Sequence, residues 1–436
     1  MSLRFGTDGV RGVALSELTT AYAAQLGRAS ASVLDAGQWL IGRDTRESGP
    51  LLESAVAAGL ASAGAEPVLV GVVPTPALAL LSAQLGLPAA MITASHNPWY
   101  DNGVKIFAPG GLKLTGDVER SIEAAVHSHA DEVADTLAAE LPMRDGLTGY
   151  VDHLVAMSSP LDGLAVVLDC ANGAMSRAAP AVFRALGAQV TVIHHTPDGR
   201  NINHECGATH TASLSAAVVA HGAQMGLAFD GDGDRVIAVD HDGRIVDGDR
   251  LIALAALQLR EQGGLHDNTV VVTVMSNIGF HRAMAAAGIH VVTTGVGDRS
   301  VLEALDAGRF SVGGEQSGHI IYRDVATTGD GLLAGLHLAQ FVHGHHRPLA
   351  ELAAEVMQSY PQVLVNVKVA QRHPSAADEL AVEIAEAEAL LGGDGRILVR
   401  ASGTEPLIRV MVEAATDELA HRVAAELADA VRARFA

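Results

Sequence analysis

Three times along the chain, a short apolar run passes through a polar turn and a helix-length stretch into a glycine-containing entry to a second apolar run. The first runs begin at Trp39 in W-L-I-G-R-D, Val166 in V-V-L-D-C-A-N-G and Val270 in V-V-V-T-V-M-S-N. The second runs begin near Gly64 in A-G-A-E-P-V-L-V-G, Gly187 in L-G-A-Q-V-T-V-I and Gly288 in A-G-I-H-V-V-T-T-G. Continuous apolar runs joined through helices predict parallel strands covered on both faces. Three related α/β domains with mixed or parallel sheets are the economical reading, although strand-helix-strand units recur in any α/β protein. The tail differs, with V-L-V-N-V-K-V from Val363, R-I-L-V-R from Arg396, L-I-R-V-M-V from Leu407 and a helix that Thr416 can cap. This pattern predicts a smaller α+β domain. Glycine, proline and polar turns divide the chain into expected domains at residues 1–150, 151–250, 251–358 and 359–436, arranged around a central cleft.

Length and composition predict a globular protein and allow a large enzyme. The 436 residues exceed one ordinary core, and 49% hydrophobic residues with 3% aromatics describe Ala/Val/Leu-rich helices on buried strands. With 29 Lys plus Arg against 50 Asp plus Glu, the net charge of -21 repels nucleic acid and anionic membrane, so an anionic ligand needs a local cationic pocket. No apolar run approaches a bilayer span, and the start M-S-L-R-F-G-T-D lacks the features of a signal peptide. A reducing cytoplasm is the expected location, while spacing alone leaves a Cys170–Cys206 disulfide open.

Four segments carry chemistry. T-A-S-H-N-P-W-Y-D-N-G-V-K, from Thr93 to Lys105, follows the apolar strand P-A-A-M-I, and open α/β sheets bind ligands at such strand ends. A phosphorylated Ser95 would need cations, which His96, Lys105 and, from elsewhere, Arg11 can supply. A serine that merely caps an N-P bend is the competing reading, and the loop alone does not decide. D-G-D-G-D-R, Asp230 to Arg235, spaces three carboxylates by glycine only, so Asp230, Asp232 and Asp234 can turn onto one hard cation such as Mg²⁺, Mn²⁺ or Ca²⁺. An EF-hand fails, because Arg235 and His241 occupy the places of its glycine and final glutamate; a solvated acidic turn stays open. Asp242-Gly243 reads as a hairpin turn.

G-G-E-Q-S-G-H frames Glu315, Ser317 and His319 with glycines, and a carboxylate beside a hydroxyl suits adjacent sugar hydroxyls. R-A-S-G-T-E-P-L-I-R, from Arg400 to Arg409, has the parts of a phosphate clamp in two guanidiniums and the hydroxyls of Ser402 and Thr404. Surface arginines paired to Glu405 and Glu413 are its alternative. Neither a Walker-type loop nor a dinucleotide fingerprint occurs. His343, His345 and His346 read as an exposed, solvated turn rather than a zinc site.

A metal triad, a candidate phosphate carrier, a hydroxyl-reading loop and a phosphate clamp together describe phosphoryl transfer on a phosphorylated polyol. Over nearly its whole length the chain resembles the α-D-phosphohexomutase superfamily. The resemblance rests on R-F-G-T-D-G-V-R-G, P-T-P, T-A-S-H-N-P with D-N-G-V-K, D-G-D-G-D-R, G-V-G-D-R from Gly295, G-G-E-Q-S-G-H and R-A-S-G-T-E-P-L-I-R-V-M. It implies Ser95 as the phosphoserine and, with Asp230, Asp232 and Asp234, as a ligand of one Mg²⁺. It further implies Glu315 and Ser317 as sugar readers, and Arg400, Ser402, Gly403, Thr404 and Arg409 as a distal phosphate site. Arg11, His96, Lys105, Arg235 and His319 would surround the transferring group, with Lys105 or His319 handling the proton. The implied reaction takes a hexosamine 6-phosphate to its 1-phosphate through a bisphosphate that turns over in the cleft, and a hexosamine or hexose 1,6-bisphosphate would be the activator. The opening R-F-G-T-D-G and Gln316 resemble the glucosamine branch, upstream of UDP-N-acetylglucosamine and cell-wall precursors, more than the phosphomannomutase/phosphoglucomutase branch. A small-molecule sugar phosphate is then the expected partner, and a homodimer stays open. An inactive sugar-phosphate sensor and a metal-dependent phosphatase would use the same parts.

Overall fold

A computed structural model describes residues 3–6, 8–128, 141–402 and 406–435. Two compact units are formed, one by residues 1–275 with 289–355 and the other by residues 276–288 with 356–436.

Three sheets build the first unit. The first contains β1 (Val10–Val13), β2 (Gln38–Arg43), β3 (Glu66–Val72), β4 (Ala89–Ile92), β5 (Asp101–Ala108) and β6 (Leu112–Lys113). The second contains β7 (Ala165–Asp169), β8 (Gln189–Ile193), β9 (Met225–Phe229), β10 (Val236–Asp240) and β11 (Ile245–Val246). The third contains β12 (Thr269–Thr273), β13 (His290–Thr294), β14 (Val312–Gly314) and β15 (Ile320–Tyr322). The pairs anticipated from the sequence, β2 with β3, β7 with β8 and β12 with β13, are all parallel. On its other side each first strand takes a second parallel neighbour, β4, β9 or β14. That neighbour then pairs antiparallel with the next strand in the chain, β5, β10 or β15. The repeat of apolar runs is therefore a repeat of topology. It folds this way because β4, β9 and β12 are buried along their whole length, which demands cover on both faces.

Helices supply the cover. Thr20–Leu34 starts at Thr19, whose hydroxyl accepts from the Tyr22 N–H at 3.1 Å, and packs on Gly49–Ser62. Gly27 and Gly59 let their backbones meet, since a Cβ at either would run into the carbonyl of Val56 or Ala24 respectively. The hairpin expected at Asp242-Gly243 joins β10 to β11, with Gly243 at φ +82°.

In the second unit β16 (Gln362–Lys368), β17 (Arg396–Ala401) and β18 (Leu407–Glu413) form an antiparallel sheet in the order β16-β18-β17. Ile397, Val399, Ile408 and Val410 alternate inward against Val423, Leu427 and Val431 of the helix Asp417–Phe435, whose Leu419 N–H is capped by Thr416. This is the expected α+β domain. The helix Ile278–Ala286, between β12 and β13 in sequence, belongs to this unit.

Two expectations are corrected or resolved. His343 and His345 lie in the last turn of the helix Gly331–His345 instead of a loop, because buried Leu338, Ala339, Phe341 and Val342 carry the helix through them before His346 ends it in a left-handed conformation. Cys170 and Cys206 are both buried free thiols. Among the described residues, no helix is long and apolar enough to cross a membrane.

Candidate active site

The repeated topology places one connection in the same position three times, between the second parallel neighbour and its antiparallel partner. Ser95 lies on the connection from β4 to β5, Asp230 to Arg235 on that from β9 to β10, and Glu315 to His319 on that from β14 to β15. The structure brings these three loops together. Ser95 Oγ donates to Asp230 Oδ2 at 2.5 Å. Arg235 and His319 form an antiparallel bridge, and the Val236 N–H donates to the Gly318 carbonyl at 3.0 Å. Gly231 is needed for this approach, since a Cβ there would lie 2.7 Å from the Ser95 carbonyl oxygen.

Asp230, Asp232 and Asp234 are buried, and their donor atoms lie within 4.8 Å of one another. Lys105 Nζ bridges Asp232 Oδ2 and Asp234 Oδ2 at 2.8 Å each and reaches Asp8 Oδ2 at 2.7 Å. Thr75 Oγ1 adds a 2.6 Å hydrogen bond to Asp232 Oδ2. Burial, then the charges of Asp234 and Asp232, push the Asp230 carboxyl well above its ordinary range. Burial acts on Asp234 in the same sense, but Lys105, His319 and Arg235 outweigh it and hold that carboxyl low. The other carboxylate oxygens, Asp232 Oδ1 and Asp234 Oδ1, are buried without any hydrogen-bond partner. Orphaned carboxylate oxygens in an all-oxygen cluster fit a hard divalent cation.

A second group, Asp169, His194 and Cys206, is equally close. There Asp169 already receives the Ala171 N–H at 2.9 Å and the Gly207 N–H at 3.0 Å, and His194 Nδ1 stands 3.1 Å from it. It ties loops together.

A cavity of about 370 Å³ opens beside the triad and is lined by Arg11, His96, Asp234, Arg235, Glu315 and His319 among others. His96 Nδ1 stands 3.5 Å from Ser95 Oγ, and burial with the guanidiniums of Arg235 and Arg11 pushes this imidazole down to about 4. His319 is buried with Nδ1 3.6 Å from Asp234 and Nε2 3.9 Å from Asp298. Glu315 Oε1 accepts the Gly297 N–H at 3.2 Å, while Ser317 is exposed. Asp8 pairs with Arg11, Lys105 and Lys113, and Lys113 pairs in turn with Asp298. Sequence reasoning assigned no role to Asp8, Thr75 or Asp298, although each lies in a motif carrying the family resemblance.

Arg400, Ser402 and Arg409, expected as parts of a phosphate clamp, belong to the second unit. Arg400 and Arg409 stand directly opposite each other on β17 and β18. Burial and the Arg409 charge depress the Arg400 guanidinium, and Arg409 Nε is buried without a partner. Like charges in register destabilise a sheet unless an anion joins them. Glu413, the alternative partner, is taken by Arg396 at 3.1 Å. The Ser402 N–H donates to the Leu407 carbonyl at 2.9 Å; Gly403, Thr404 and Glu405 lie outside the described residues.

Comparisons with known proteins agree along the chain. Models for the phosphoglucomutase/phosphomannomutase alpha/beta/alpha domains I, II and III match residues 2–132, 148–243 and 247–360, and the C-terminal domain model matches residues 364–430. Proteins named phosphoglucosamine mutase from Salinispora tropica and Rhodococcus opacus are each 51% identical over 99% of this chain and 99% of their own. A crystal structure of a phosphoglucomutase/phosphomannomutase family protein from Burkholderia thailandensis superposes with TM-score 0.81 at 26% identity, covering 98% of this chain and 97% of its own.

Proposed function

The chain belongs to the phosphoglucomutase/phosphomannomutase family, and on that premise we propose that it interconverts glucosamine 6-phosphate and glucosamine 1-phosphate through a phosphorylated Ser95. It is an enzyme of the phosphohexomutase class. The 51% identity to phosphoglucosamine mutases over almost the full chain supports the amino sugar. The observation that carries the chemistry is Ser95 Oγ, held 2.5 Å from Asp230 at the edge of three clustered carboxylates and beside a cavity that Arg4, Arg11 and Arg235 help to line.

In the first transfer, the bond between Ser95 Oγ and phosphorus breaks as the free hydroxyl oxygen of the sugar phosphate bonds to phosphorus. The hydroxyl proton leaves that oxygen, and the serine oxygen finally regains one; Lys105 or His319 is the group we assign to this traffic. The resulting bisphosphate turns over and returns its other phosphoryl group to Ser95, which yields the 1-phosphate. A hexosamine or hexose 1,6-bisphosphate would therefore charge the enzyme. Arg11, His96, Lys105 and Arg235 surround the transferring group, and fixed donors there stabilise its oxygens without rearranging during transfer. Glu315 and Ser317 read sugar hydroxyls. Arg400, Ser402, Gly403, Thr404 and Arg409 hold the phosphate that is not reacting, which makes an anion the missing partner of the opposed Arg400 and Arg409. Asp230, Asp232 and Asp234, with Ser95, would hold one Mg²⁺, which when bound neutralises charge on the transferring phosphoryl group. We also propose domains at residues 1–150, 151–250, 251–358 and 359–436, and the cytoplasm as the location.

A coupled assay on glucosamine, glucose and mannose phosphates, with wild type beside Ser95→Ala, tests this. Turnover should favour glucosamine phosphate and vanish in the variant. Markedly better turnover of glucose or mannose phosphate would reject the amino-sugar assignment, and an active Ser95→Ala would reject the carrier.

A further inference from the structure

Ser95 is held in the left-handed region, at φ +52°, where an L-residue other than glycine is strained because its Cβ crowds the following carbonyl oxygen. Something must impose it. The side-chain hydrogen bond to Asp230 cannot do so through a whole cycle, because a phosphorylated Oγ has no proton to donate.

The main chain is gripped instead. Arg46, whose side chain is fully buried, has five N–H donors and five acceptors. Nε donates to Asp44 Oδ2 at 2.9 Å. One terminal nitrogen donates to the Asp101 carbonyl at 3.0 Å and to that of Pro98, and the other to the carbonyls of Ser95 at 2.9 Å and Asn97 at 2.8 Å. Asn203, from the connection between β8 and β9, donates both hydrogens of its amide to the same two carbonyls, Ser95 at 2.8 Å and Asn97 at 3.0 Å. On the other side of the residue, the Ser95 N–H donates to Thr93 Oγ1 at 2.9 Å, and Thr93 donates to Asp44 at 2.7 Å. Neither Arg46 nor Asn203 lines the cavity beside the triad.

We infer that Arg46 and Asn203 are positioning residues that hold the Ser95 backbone in its left-handed conformation in both the free and the phosphorylated enzyme. This rests on the reading that Ser95 carries the phosphoryl group. Because the grip is on carbonyl oxygens, it does not change when Oγ gains or loses phosphate, so the carrier returns to one position after each transfer. Arg46 also satisfies buried Asp44, which makes its removal a risk to folding; lysine preserves that charge while losing the planar fork.

The test uses Arg46→Lys, Asn203→Ala and the double variant in the full chain with Mg²⁺. Rapid-quench intact mass after mixing with glucose 1,6-bisphosphate follows Ser95 phosphorylation, and steady-state assays separate kcat from KM. Misplacement of the nucleophile predicts that phosphorylation and kcat fall by about 10- to 100-fold in either single variant. KM should stay within about twofold, as expected when a transition-state contribution is lost. Since both residues hold the same two carbonyls, the double variant should lose less than the product of the single losses. Near-UV circular dichroism confirms folding, and if Arg46→Lys does not fold, Asn203→Ala carries the test. Wild-type phosphorylation rates in the folded variants, or a raised KM at unchanged kcat, would overturn the inference. A wild type that never gains a phosphoryl group would instead overturn the reading of Ser95.

Discussion

Asp232 Oδ2 is shared between Lys105 and Thr75, and the threonine holds it without adding charge. Partners behind a metal ligand typically contribute about 10- to 100-fold in affinity, so Thr75→Val should weaken Mn²⁺ binding by that order in calorimetry while the protein stays folded. A different carboxylate tests the energetics of burial. Asp330 caps the helix Gly331–His345 and accepts the Tyr150 hydroxyl at 2.8 Å; burial pushes it up to about 6, against lowering by its hydrogen bonds to Leu333 and Tyr150. A raised acid favours folding while protonated, so its contribution is complete below the unfolded value near 4 and is lost as pH rises through about 6. Asp330→Asn keeps an acceptor and removes the titration. Its urea midpoint should therefore gain on wild type between pH 4 and 7, by up to about 3 kcal/mol of unfolding free energy. At this scale the three aspartates stood out by their glycine spacing, while Ser95 was singled out only through the other motifs and the family resemblance, since its own loop also reads as a capped bend. Arg46 and Asn203 were not, since they lie 49 and 108 residues from Ser95 and act on its main-chain carbonyl, and nothing local to an arginine or asparagine signals such a target.

Among elements, the contact between Thr20–Leu34 and Gly49–Ser62 depends on two glycines. Gly59→Ala raises helix propensity by about 1 kcal/mol in isolation. Here it should destabilise, because the new methyl would meet the Ala24 carbonyl, and overpacking commonly costs about 1–3 kcal/mol. A lower denaturant midpoint at unchanged specific activity is the expected result; a midpoint equal to or above wild type would show that the helices can separate freely. The strands of the repeat were readable from their apolar runs, and so were their parallel partners. The antiparallel fourth member was harder to read. β14 and β15 have three residues each, too few to carry a period, and their pairing is set by the turn through Glu315 to Gly318. His343 and His345 were misread for a related reason: polar side chains suggested a turn, while the apolar face four residues earlier decided the helix.

For the molecule as a whole, a net charge of -21 makes the crowded triad costly without a cation, so metal binding should register in both turnover and stability. Chelation is expected to abolish turnover with the far-ultraviolet circular dichroism unchanged, and Mg²⁺ should restore it. Mass action predicts about 2.7 kcal/mol of added stability when Mg²⁺ is a hundredfold above its Kd, seen as a rise in thermal midpoint that Asp230→Asn removes. The three-loop assembly was foreseeable as a set of motifs but not as one repeated connection, because equivalence of loops is a property of sheet order rather than of residue type. The same assembly bears on events during synthesis. The partners that hold Ser95 enter the chain at Arg46, Asn203 and Asp230, the last 135 residues after the serine. Arg46 precedes Ser95, but a ribosome releases the serine loop long before it releases the second sheet, so the nascent first domain displays Ser95 without Asn203 or the three carboxylates. On the proposed function, a chain that ends before Asp234 lacks the full carboxylate triad, so unfinished chains are expected neither to consume sugar phosphate nor to release it as free phosphate.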